Sequence, residues 1–301
     1  MNRIAIIGQS SFGSTVAKGI LKDKDMEIVG LFTPSDSDSD PLFLFSKENN
    51  IDVFRFKKLR SRKAIEQFEK LKVDLLVMAY VTDIVPLEII KSPSIGTIQY
   101  HPSLLPKHRG PSSINWAIID GDSKTGITIF WPDEGLDTGP ILLQKEVKID
   151  SNDSTGSLYF DKLFPLGVKA ILESIELIKN NNAPKIIQNE DNASYETWCP
   201  KQEIFWDNEP KIIFNLIRGC DPQPGAWTKI NSKKVFLYDC RLSDNNLELN
   251  HKEMFISKDE VSIGVKKEKI TIGRIKTEGE KKINSYEWMK INKIKNHSIL
   301  G

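Results

Sequence analysis

Two residues of this 301-residue chain stand where an acyl carbon could be worked on. His101 lies in QYHPSLLPKHRG, residues 99–110, at what reads as the exit of a strand, and Asp137 lies in LDTG, residues 136–139, on a later loop. An imidazole that can polarise a carbonyl, beside a carboxylate that can hold it charged, suits acyl transfer or hydrolysis. The apolar run ILLQ that follows Asp137 reads as another strand, so both residues can share one sheet edge. Ser103, Leu104, Leu105 and Pro106 are read as shaping the loop, since no GxSxG elbow surrounds Ser103 as a nucleophile. His108 and Arg109 are read as loop-surface or loop-anchoring residues.

A second candidate is GQSSFG, residues 8–13, which ends the first strand and opens a helix, where backbone N–H groups can hold an anion. It lacks the Lys of a P-loop and the middle Gly of the dinucleotide fingerprint, and LFTPS stands where a ribose-binding acid would end strand two. Nicotinamide binding is therefore not expected. The loop reads equally as a tight turn with close helix packing and as a substrate-facing segment.

The elements that must position these groups alternate. Strand-like runs at 3–7, 26–32, 52–56, 73–79, 95–100, 126–130 and 141–147 are interleaved with helical periodicity at 14–21, 63–71 and 112–120, and a long helix spans 155–179. Such alternation argues an α/β fold on a parallel sheet, with the continuous apolar run 73–79 at its centre. At 180–192 the composition turns to NNNAPKIIQNEDN, which has linker chemistry. Beyond it come a helix carrying Ile212, Ile213, Leu216 and Ile217, then brief strands between polar turns, as in a small β-barrel. The length suits two domains of roughly 100–200 residues each.

Composition excludes more than it assigns. With 39% hydrophobic and 28% charged residues and a formal net charge of +1, the chain has no global attraction to nucleic acid. Cys199, Cys220 and Cys240 form no CxxC pair and read as reduced, buried or idle thiols. No run approaches a signal peptide or a membrane span, so a cytoplasmic protein without membrane partners is expected. Trp116, Trp131, Trp206 and Trp227 read as core or domain-interface aromatics.

Taken together, HPSLLPKHRG, INW, IFWPDEGLDTG, the long helix and PGAWT resemble the folate-dependent formyltransferase family. The likeness runs from GQSSFG through FTPSD and PLFLF to PGAWT, nearly the whole chain, and in detail is nearest to the amino-terminal hydrolase domain of the 10-formyltetrahydrofolate dehydrogenases. It implies a Rossmann-like parallel α/β catalytic domain over 1–200, a small OB-like β-barrel over 204–301, and 10-formyltetrahydrofolate as formyl donor, without a metal. The family's catalytic His and Asp fall on His101 and Asp137. Gln99 stands where transferases carry Asn and the hydrolase domain an apolar residue, and is the third catalytic candidate. The resemblance gives pterin recognition mainly to backbone in two loops, one with Thr82, Ile84, Val85 and Pro86, the other with Asp133, Glu134, Gly135 and Leu136; Gly8, Gln9 and Ser10 complete the substrate-binding set.

Water is the acceptor implied by the nearest likeness. A methionyl-tRNA acceptor is not favoured, because PSDSDSDP after strand two would repel phosphates and the carboxy-terminal excess of Lys and Arg is modest. A nucleotide-sugar amine is a third acceptor, and a folate-binding protein without catalysis the non-enzymatic alternative. A chain that stops at Gly301 is not expected to carry NAD(P) chemistry.

Overall fold

The structure, a computed structural model, describes residues 2–34 and 37–300; Ser35 and Asp36, part of the acidic run after strand two, lie outside the described residues. Seven strands, β1 (Asn2–Gly8), β2 (Met26–Thr33), β3 (Val53–Arg55), β4 (Leu75–Ala79), β5 (Gly96–His101), β6 (Lys124–Phe130) and β7 (Ile141–Lys148), form one sheet of order β3-β2-β1-β4-β5-β6-β7. Between them run α1 (Ser10–Ile20), α2 (Pro41–Glu48), α3 (Arg62–Lys70) and α4 (Leu87–Lys91). All five residues of β4, LLVMA, are buried, and the strand is central as its apolar run indicates. Gly8 pairs with Ala79 in register, and a Cβ on Gly8 would lie 2.4 Å from the Ala79 carbonyl oxygen, so this approach of β1 to β4 requires glycine.

The pairings β3-β2, β2-β1, β1-β4 and β4-β5 are parallel. The parallel sense expected of the sheet holds through β5 and reverses at β6, which runs antiparallel to β5. Periodicity marks an element without giving its sense, and the connection between these strands is long enough for either. Among the helices between these strands, α2 and α4 escape the periodicity reading because PLFLF looks like a strand and LEIIK is one turn long. Helix α1 begins at Ser10, inside the stretch read as a loop, because Phe12, Val16 and Ile20 make one buried stripe at i, i+4, i+8. Asp40 explains both starts: its Oδ1 accepts from the N–H of Leu42 (2.9 Å) and Phe43 (3.3 Å) in α2, and its Oδ2 from the N–H of Ser10 (2.8 Å). The expected long helix is present with a π-helical turn, Leu158–Leu163, between Thr155–Ser157 and Phe164–Lys179.

The chain divides into two compact units, one of residues up to 110, 126–147 and 162–195, the other of 111–125, 148–161 and 196 onward. Residues 180–192, a linker by composition, are ordered against β7: Ile186 exchanges two backbone hydrogen bonds with Ile141 (2.8 and 2.9 Å), and Gln188 is buried. Polar turn formers look alike whether their groups are bonded to solvent or to a neighbouring strand. The second unit contains a small β domain with one sheet of five strands and one of four. Helix Pro210–Gly219 supplies Ile213 and Ile217 to its core, joined by Val235 and Leu237 from one sheet and Ile263 and Ile270 from the other.

Trp206 belongs to that core, as does Trp288, which the pattern did not single out; Trp116, Trp131 and Trp227 are half-buried. The three cysteines are free thiols, although the fold brings Cys199 and Cys220 to 3.9 Å. No helix among the described residues is long and apolar enough to cross a membrane.

Candidate active site

His101 is the last residue of β5, opposite Thr128 on β6. The loop that leaves it is pinned by the Thr128 hydroxyl, which donates to the Ser103 carbonyl (2.7 Å) and accepts from the N–H of Leu105 (3.2 Å) and the Gln144 amide (2.9 Å). Ser103 is fully buried and its hydroxyl donates to the Lys107 carbonyl at 2.7 Å, so it staples the turn. The turn returns His108 to the imidazole. His101 Nε2 donates to the His108 carbonyl oxygen at 2.8 Å. A carbonyl can only accept, so Nε2 bears the proton and the lone pair of a neutral ring is at Nδ1.

Asp137 is carried by the connection between β6 and β7, closed by a bond from the Trp131 N–H to the Pro140 carbonyl (2.9 Å). A Cβ on Gly139 would fall 1.8 Å from the Trp131 carbonyl oxygen, so the closure admits only glycine there. Asp133 braces the same loop, its Oδ1 accepting from the N–H of Gly135 (3.0 Å) and the Thr138 hydroxyl (2.6 Å). Asp137 itself has φ +56°, the left-handed region in which Asp is among the tolerated residues. Its Oδ2 accepts from the Gly110 N–H at 2.8 Å and lies 3.5 Å from His101 Nδ1. Its Oδ1 faces the Gln99 amide nitrogen at 3.4 Å.

Three groups from β5 and a loop beyond β6 therefore converge. The His101 and Asp137 side chains are each 7% exposed, which limits the water that would screen them. With Nε2 held by a carbonyl, a proton added at Nδ1 enters the space facing the carboxylate, where an imidazolium is complementary to it. The arrangement can give a proton or a hydrogen bond from Nδ1 and accept a proton at Asp137 Oδ1, the carboxylate oxygen not held by the Gly110 N–H. Those are the two operations needed to break a carbonyl–nitrogen bond.

The other expected site residues are placed as follows. Gln9 donates its amide to the Thr82 hydroxyl at 3.3 Å, joining the loops after β1 and β4. The Ser10 N–H is engaged by Asp40 and so does not serve an anion. Ile84 and Leu136 are 68% and 55% exposed, whereas Val85 is buried in the core beneath β4, leaving only its backbone for a ligand. Pro86 precedes α4 as its cap, and Glu134 pairs with Lys91 at 3.0 Å. His108 and Arg109 are buried, which corrects the surface reading and leaves the anchoring one. The His108 carbonyl, the Gly110 N–H and Gln188 were not anticipated. Backbone groups leave no residue-type signal, and Gln188 sits in the stretch read as a linker.

The chain has relatives among known proteins. The model of the formyl transferase family matches residues 2–175, and that of the formyl transferase carboxy-terminal domain residues 200–293. The human mitochondrial 10-formyltetrahydrofolate dehydrogenase is 42% identical over 254 residues, 81% of this chain; the chain spans only 27% of that relative's length. The methionyl-tRNA formyltransferase of Clostridioides difficile (strain 630) is 33% identical over 290 residues, covering 93% of this chain and 94% of its own. A solved N-formyltransferase from Helicobacter canadensis, in complex with folinic acid and dTDP-3-aminofucose, shares the fold with TM-score 0.72 at 21% identity, over 90% of this chain and 99% of that one. The convergence of His101 and Asp137 on the sheet just described is thus set in a chain that belongs to the formyl transferase family of enzymes.

Proposed function

We propose that this protein takes 10-formyltetrahydrofolate as formyl donor and water as acceptor, releasing formate and tetrahydrofolate in the cytoplasm. The observation that carries the reading is the 3.5 Å approach of His101 Nδ1 to an Asp137 carboxylate oxygen, itself fixed by the Gly110 N–H. The folate preference is supported by the relatives, one of which is a 10-formyltetrahydrofolate dehydrogenase and another a structure holding folinic acid. The chemistry is assigned to the module over 1–200, and the module over 204–301 contributes none of the named groups.

In this mechanism the formyl carbon lies beside protonated His101, and Nδ1–H donates to the formyl oxygen as charge develops there. Asp137 takes a proton from the attacking water. Collapse of the tetrahedral intermediate breaks the carbon–N10 bond, and the proton held by the pair goes to N10. Gln99 supplies a second hydrogen bond to the oxyanion, a type of contact worth about 10²–10³ in rate. The exposed Ile84 and Leu136 offer apolar surface to a pterin, whose polar edge is met by backbone of the loops 82–86 and 132–136.

Methionyl-tRNA as acceptor is the second reading, favoured by one observation: that relative matches almost end to end. The acidic run after β2 speaks less strongly against it than its composition implies, because Asp38 pairs with Arg55 at 2.5 Å and Asp40 caps two helices. Incubation with 10-formyltetrahydrofolate, following formate and tetrahydrofolate with and without charged initiator tRNA, separates the two. Formate release without acceptor supports hydrolysis; strict dependence on tRNA overturns it.

A further inference from the structure

We propose that Arg109 and Gln188 form a buried strut that positions the His101–Asp137 pair, an inference that rests on the formyl-transfer reading of that pair. Arg109 is a fully buried cation, costly unless every donor is met. Its guanidinium donates to Gln188 Oε1 from Nε (3.2 Å) and Nη2 (2.8 Å), to the Glu190 carboxylate from Nη1 (2.8 Å) and Nη2 (2.7 Å), and to the Tyr195 hydroxyl from Nη1 (2.6 Å). These bonds use the whole donor set of the side chain. The Arg109 hydrogen bond holds the Glu190 carboxyl below its ordinary range, so the pair stays ionised at neutral pH.

The consequence reaches Asp137 by two routes. With its oxygen turned to Arg109, Gln188 must aim its amide nitrogen the other way, and Nε2 donates to the carbonyls of Asp137 (2.9 Å) and Gly139 (2.7 Å). A flipped amide would set donors against the guanidinium and an oxygen against two carbonyls. The loop backbone is thereby gripped on both sides of Thr138. Along the chain, the neighbours of Arg109 hold the working side chains: the His108 carbonyl accepts from His101 Nε2, and the Gly110 N–H donates to Asp137 Oδ2, both at 2.8 Å. One anchored residue thus bears on the imidazole, on the carboxylate and on the backbone that carries it.

Gln188→Met tests this, since it removes both sets of bonds at similar volume and leaves Arg109 its Glu190 and Tyr195 partners. With 10-formyltetrahydrofolate as substrate, kcat is expected to fall about 10–100-fold, with KM within about threefold. In an Asp137→Asn background the same change should cost far less, because the strut acts through Asp137. An independent readout is the Gly110 amide proton, assigned with Asp137→Asn. Held to a carboxylate in the wild type, it should move upfield in Gln188→Met as that bond loosens. Unchanged kcat with an unmoved Gly110 signal would overturn the strut, as would equal losses in the two backgrounds. If the wild type turns over no formyl donor, the functional reading fails and the Gly110 signal still decides the strut, its shift supporting it and its constancy overturning it. Should Gln188→Met not fold by circular dichroism, Arg109→Lys, which keeps the charge and loses the fork, is read by the same measurements.

Discussion

At the scale of the residue, the site is defined by which atoms are already committed. His101 Nε2 is tied to a backbone carbonyl and Asp137 Oδ2 to a backbone N–H, so the groups left to meet substrate are Nδ1, the second carboxylate oxygen and the Gln99 amide. Gln99 reaches Asp137 Oδ1 at 3.4 Å, a long bond that a formyl oxygen can displace at little cost. Gln99→Leu is therefore expected to lower kcat by about 10²-fold while KM changes little. Steady-state kinetics on the purified variant checks this, and an undiminished kcat removes Gln99 from the transition state.

At the scale of the element, the sheet holds its acid-sensitive tie at the start of β1. Asp74 accepts from the Arg3 N–H (2.9 Å) and the Ser94 hydroxyl (2.7 Å), and the first of these bonds does most to lower its carboxyl below the ordinary value. A lowered folded-state value means the ionised form stabilises the fold. That stabilisation is complete above the unfolded carboxyl value, about 3.9, and disappears as pH falls through the lower folded one. Asp74→Asn should lower Tm at pH 7, and the gap to wild type should narrow on acidification below about pH 4. A gap constant from pH 7 to pH 3 contradicts the assignment.

The same elements show what the amino-acid pattern could reveal. The centrality of β4 was legible because five consecutive apolar residues have few other homes. The start of α1 was not, because Ser10, Ser11 and Gly13 are weak helix formers and the capping carboxylate, Asp40, is 30 residues away. His101 and Asp137 were legible as residue types, the ILLQ strand after Asp137 allowed them one sheet edge, and their catalytic roles rested on the family resemblance. Gln188 was invisible for a different reason. Its role consists of bonds to a guanidinium and to two carbonyls, and no local spacing encodes those.

At the scale of the whole molecule, salt dependence distinguishes a small-molecule enzyme from one that must hold a polynucleotide. A protein neutralising six to ten phosphates loses about 10³–10⁵ in affinity between 50 and 200 mM salt. Turnover of 10-formyltetrahydrofolate without tRNA should instead show a KM that changes by less than about tenfold over that range. A steep salt dependence, together with protection by added tRNA, would favour the transferase reading.

If His101 and Asp137 act together on one formyl group, single-turnover release of formate from 10-formyltetrahydrofolate reads that coupling. His101→Asn and Asp137→Asn, each shown folded by circular dichroism, should be slowed by about 10²–10⁴-fold, and the double variant little further. A single variant that releases formate at the wild-type rate would show that the two residues do not act as a pair.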